Sequence, residues 1–121
     1  MERITVFHKA LLDIMAEIAQ DYSQGDTDGT SQEQPNVQFH QIVDEKTHRY
    51  ELVAVGWLPK NERVFNVFFQ ADIINHKIWI QEDNNEYSIA ERLVDRGIRK
   101  KDIVLAYYPE FHRQHTEYAV A

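Results

Sequence analysis

The chain has 121 residues and no cysteine. That excludes disulfide staples, thiolate nucleophiles and zinc sites built on sulfur. It has only four glycines, and no glycine-rich loop of the kind that cradles a phosphate. No stretch approaches the roughly 18–20 apolar residues of a membrane span. The opening MERITVFHKALL has too short an apolar core and too many polar residues for a secretory signal. Cations are scarce as well: 13 Lys and Arg against 20 Asp and Glu leave a net charge of −7. Phosphate contacts need clustered Lys and Arg, so this balance argues against direct nucleic-acid binding by the free chain. The one dense basic run, RGIRKK (Arg96 to Lys101), has the size of an ordinary solvated face. A single cytoplasmic domain is the expectation.

What the chain does have is a change of hydrophobic period. Ile4, Phe7, Leu11, Ile14, Met15, Ile18 and Tyr22 recur at spacings of three and four, which predicts an amphipathic helix. The polar segment that follows, within residues 23–36, has no apolar residue from Ser23 to Pro35 and reads as a mobile loop. Then VQFHQIV, RYELVAVGW, RVFNVFFQADI and KIWIQED (Val37–Val43, Arg49–Trp57, Arg63–Ile73, Lys77–Asp83) read as four strands. Their short links favour an antiparallel meander, because a parallel crossover needs about a dozen residues. A second helix carries Ile89, Ala90, Leu93 and Val94 on one side and stops at Gly97. Asp102–Tyr108 and His115–Ala121 are expected to be extended in part. The predicted fold is α+β, with the helices packed on one face of a four-stranded antiparallel sheet. The apolar ending EYAVA predicts that Tyr118 to Val120 pack into the domain or an interface.

Candidate chemistry is sparse. His112 and His115 have ligand spacing only on a helix, and the pattern after Pro109 looks extended. Asp26 and Asp28 before Gly29 would make Gln24 and Pro35 the end ligands of a calcium loop, so that match fails. Asp44-Glu45-Lys46 meets the short D-x-K half of a metal-dependent nuclease pattern, but no second carboxylate is evident. No catalytic, cofactor-binding or metal-binding set is assigned.

In the fourth strand Ile78 and Ile80 should face the core, which leaves Trp79, Gln81 and Asp83 in a row on the other face. Asn84 or Asn85 is placed to cap the second helix, with Glu86 in its first turn. Capping accounts for the acids. It does not account for an outward tryptophan, which wants a surface to cover it.

The run KIWIQED…E…IAERLV…G…KDIVL, followed by R…TEYAVA, closely resembles the XisI family, the cyanobacterial fdxN element excision controlling factor. Arg63-Val64, Asp72-Ile73, Asp102 to Leu105, Arg113, Thr116-Glu117 and Ala119 to Ala121 match its pattern. Arg49 and Gln70 stand where a histidine is common in the family, and Arg99 where a proline is. The resemblance implies a small factor for developmentally timed excision of a DNA element, working beside a recombinase and a companion protein, XisH, and implies no cofactor. On this reading the chain is a non-catalytic interaction protein, expected to form a homo-oligomer. Its candidate partner interface is Trp79, Gln81, Asp83, Arg113, Thr116 and Glu117. The alternative is a nuclease component using Asp44 and Lys46.

Overall fold

The computed structural model of the chain describes residues 2–23 and 36–121, the side chains of residues 22 and 23 excepted. Helix α1 (Arg3–Ser23) buries Phe7, Leu11, Ile14, Met15 and Ile18, the stripe that the spacing predicts. Each such side chain stabilises the fold by about 1.5–3 kcal/mol. The expected loop lies almost wholly outside the described residues; Ser23 belongs to α1 and Asn36 to the first strand.

Strands β1 (Asn36–Asp44), β2 (Arg49–Leu58), β3 (Glu62–Ile74) and β4 (Lys77–Asp83) form the predicted antiparallel meander. The β3–β4 link is a two-residue turn in which Asn75 (φ 51°) and His76 (φ 60°) are both left-handed. That twist suits a tight hairpin. Gly56 lies where β1 and β2 come closest. A Cβ there would sit 2.0 Å from the Asn36 carbonyl oxygen, so only glycine lets the strands meet.

Among the described residues the sheet has five strands, not four. β5 (Ile103–Leu105) adds to β4 in parallel, which makes the sheet mixed. At three residues it is too short to show a period. The connection from β4 passes through helix α2 (Ile89–Asp95), the long crossover that parallel pairing demands.

Helix α2 is capped differently from the expectation. Ser88, not Asn84 or Asn85, is the N-cap, its hydroxyl accepting the Glu91 amide, and Glu86 precedes the helix. At the other end the Ile98 amide bonds the Leu93 carbonyl and the Gly97 amide bonds that of Val94. With Gly97 at φ 89°, this is the glycine-terminated stop that the sequence predicts.

Helices α1 and α2 cover one sheet face. Their apolar stripes meet Tyr50, Leu52, Phe69, Ala71, Ile78 and Ile80 in a single core. A third helix, the single turn α3 (Glu110–Arg113), departs from both expectations for this region: it is helical rather than extended, and Arg113 at its end lies over Trp79 on the other sheet face. Pro109, where an extended chain was predicted, instead accepts the first helical bonds through its carbonyl.

The C-terminal segment packs as predicted. Ala119 is buried, bridges Val104 and donates its amide to the Ile103 carbonyl at 2.9 Å. Deleting residues 118–121 removes about 1–2 kcal/mol of burial. The expected result is a melting temperature lower by about 5 °C or more, and an unchanged calorimetric transition would contradict it.

Candidate interaction surface

Two single-residue irregularities decide what the outer face, opposite α1 and α2, presents. Between β2 and β3, Leu52 pairs with Phe69 but Val53 pairs with Val67, so Phe68 is an extra residue in β3. Between β3 and β4, Ala71 pairs with Ile80 but Gln70 with Glu82, so Gln81 is an extra residue in β4. An extra residue shifts the alternation by one and sends the side chains beyond it to the opposite face.

The β4 bulge overturns one expectation. Asp83 does not stand in a row with Trp79 and Gln81; it pairs with the core residue Phe69 and points to the helix side. There its carboxylate accepts the Ile89 amide at 2.9 Å, together with the backbone amide and side-chain NH₂ of Asn85 at 3.2 and 2.8 Å. Asp83 therefore ties β4 to the start of α2.

The outer face has two halves. One row across the sheet runs Asp44, Arg49, Asp72, Trp79 and Val104. Asp72 is 6% exposed, and a carboxylate that deep requires partners. It has three: Arg49 Nε at 3.0 Å, Gln70 Nε2 at 3.0 Å and Gln81 Nε2 at 3.4 Å. Trp79 is half-buried beneath the Arg113 guanidinium, 5.6 Å from its ring, a cation–π contact. Arg113 thus lies on the indole, while Glu117 pairs with Lys100 and Asp83 serves α2. Thr116 Oγ1 donates to the Arg113 carbonyl and accepts the Tyr118 amide, which holds the segment in shape. Of the six sequence-derived interface residues, the structure brings Trp79, Gln81, Arg113 and Thr116 to the tail-covered half. It directs Asp83 away from them and turns Glu117 toward Lys100.

The other half carries no such cover among the described residues. Phe65, 69% exposed, pairs with Val55, and Val67, 38% exposed, pairs with Val53. Beside them Trp57 is 47% exposed, with Arg63 stacked 5.0 Å from its ring. The β1 residues alongside, Asn36, Gln38 and His40, add two amides and an imidazole. Sequence reading missed this patch because alternation through Phe69, Val67 and Phe65 points all three inward, and the bulge at Phe68 reverses the last two. One signal was available: β3 carries apolar residues at both parities, more than one buried face can use.

The remaining charged motifs are engaged locally. The Asp44 carboxylate accepts the Lys46 amide at 2.9 Å and the Thr47 amide at 3.4 Å, and these bonds hold its pKa below the usual value. In the basic run Arg96 pairs with Glu17, Arg99 with Asp102 at 3.2 Å, and Lys100 with Glu117. Three of its four cations therefore face the chain's own acids. His112 stacks on Tyr108 at 4.1 Å. Among the described residues no three His, Asp or Glu side chains converge as a metal site, and no helix is long and apolar enough to cross a membrane.

A family model described as XisI protein matches residues 1–120. The chain belongs to the XisI family. Among solved structures, the fdxN element excision controlling factor XisI from Anabaena variabilis ATCC 29413 is 28% identical, with 99% of this chain and 100% of that one covered, at a TM-score of 0.75. A XisI-like protein from the same organism is 30% identical over 92% of this chain and 99% of its own, at a TM-score of 0.67. The comparison with curated proteins returned no match. In this XisI-family chain Arg49 and Gln70 donate to one carboxylate, Asp72.

Two outcomes follow from the site's geometry. Asp83→Ala removes the carboxylate that accepts the first amide of α2 and should destabilise the protein by about 1–2 kcal/mol; urea unfolding with no change of midpoint would contradict that role. The Tyr107 phenol is pushed up to about 12, first by burial and then by the nearby Asp83 charge. A folded pKa above the unfolded value of 10.0 means that its contribution is complete below pH 10 and fades as pH rises through about 12. Absorbance titration should show one phenol ionising near pH 12 that is absent from Tyr107→Phe.

Proposed function

We propose that this chain is a XisI-type controlling factor for the programmed excision of a DNA element, acting in the cytoplasm as a non-catalytic interaction protein. The partner is a companion of the XisH type or the recombinase machinery. The observation that carries this reading is the apolar group Trp57, Phe65 and Val67 on the outer face, exposed among the described residues, on a chain of net charge −7. Exposed aromatics grouped with few charges are the composition of an interface centre. A protein surface can use such a patch; a phosphate backbone cannot. The excision role itself comes from the family and from the name of its solved Anabaena variabilis member.

The Trp79 half contributes differently. Its indole, guanidinium and buried carboxylate form a rigid floor beside the patch, and the tail that covers it is the segment a partner would meet at the rim.

Co-purification with the XisH-type companion tests the proposal. Trp57→Ala and Phe65→Ala remove exposed side chains and leave the core intact, so each should weaken association about tenfold or more with little change in melting. Trp79→Ala should act mainly through stability. Excision should survive Asp44→Ala combined with Lys46→Ala. Association indifferent to Trp57 and Phe65 would refute the docking surface, and excision lost with the Asp44/Lys46 pair would favour a nuclease.

A further inference from the structure

The two edges of the sheet are built differently. At one, β5 has three residues and the C-terminal segment lies against it through the Val104–Ala119 bridge. At the other, β1 runs nine residues, Asn36–Asp44, as the last strand of the sheet among the described residues. Its register with β2 is continuous, whereas the β2–β3 and β3–β4 pairings each carry a shift. Native sheets blunt such an edge by shortening it, kinking it with a bulge or placing Lys or Pro on it. The β1 sequence NVQFHQIVD uses none of these devices. Its one formal charge, Asp44, is at the end.

We propose that the β1 edge takes a second copy of this chain, strand to strand and antiparallel about a two-fold axis, which joins two five-stranded sheets into one. The strand is complementary to itself. Laid antiparallel on its own image about His40, it sets Val37 opposite Val43, Gln38 opposite Ile42, and Asn36 opposite Asp44. The single charge of each copy therefore meets an amide and never its own image. In a chain of net charge −7 that matters, because like charges directly opposed across strands disfavour pairing. Val37 and Val43, half-buried on the helix side, lose further apolar surface to one another. Opposed residues of an antiparallel pair share a face, so the axis runs normal to the sheet and keeps both sets of helices on one side. Nine-residue pairing gives an interface at the small end of the stable range, with a dissociation constant on the order of micromolar. The Trp57–Phe65 surface of each copy stays open, so this inference does not depend on the docking proposal above.

Sedimentation of the full chain, alone and across about 1–200 µM, tests it. A reversible monomer–dimer equilibrium is expected, with β1 amides exchanging more slowly as concentration rises. Gln38→Lys with Ile42→Lys opposes lysine to lysine at two places in the dimer and should weaken it at least tenfold. Gln38→Lys with Ile42→Glu opposes lysine to glutamate in the same register and should keep the dimer. Both positions are exposed, and circular dichroism melting checks that each variant folds. A chain that stays monomeric, a dimer indifferent to the lysine pair, or β1 amides equally slow in the dilute monomer would overturn the proposal. No companion protein is present, so failure here is separable from failure at Trp57 and Phe65.

Discussion

Strand alternation, interrupted once in β3 and once in β4, is the constraint on which the rest of this structure depends. The two interruptions lie in neighbouring strands, at Phe68 and Gln81. Without the first, Phe65 and Val67 would turn toward the helices and the outer face would lose its apolar half. Without the second, Asp83 would turn away from α2, and the helix would lose a carboxylate that accepts its first amide. Each bulge leaves the core intact, because Phe69, Ala71, Ile78 and Ile80 all keep to the helix side. The sheet thus acquires two distinct faces from a β3 sequence that carries apolar residues at both parities.

Electrostatics follows the same division. The buried carboxylate Asp72 is satisfied by Arg49, Gln70 and Gln81 on the half that the tail covers. Removing one of those donors would leave a buried charge short of partners, the expensive way to disturb such a network. The acids elsewhere take up the basic run, with Glu17, Asp102 and Glu117 each holding one of its cations. The other half of the outer face carries exposed apolar and aromatic side chains, Trp57, Phe65 and Val67.

Much of this was legible in the sequence. The four long strands were read to within one or two residues, because short polar links bound runs of branched and aromatic residues. The α1 stripe and the Gly97 stop were equally plain, and so was the packing of the tail through Ala119. The cap of α2 was misplaced by a few residues, although Ser88 directly before Ile89 is the ordinary signal for it. The extended part of Asp102–Tyr108 was legible and is β5, but its parallel place beside β4 was not, since three residues carry no period. Nor was the turn at Glu110–Arg113, whose reason for existing is the indole beneath it.

The sequence alone determined the class of fold, the order of its main elements and the family to which the chain belongs, because these depend on local periodicity, turn residues and a pattern sustained from end to end. Only the tertiary structure decided which side chains share a face. A bulge is one residue that looks like any other in its strand, and its position is set by how neighbouring strands must register to close a common core. Facing is a property of the assembled sheet, so Asp83 went to the helices and Phe65 to the outside.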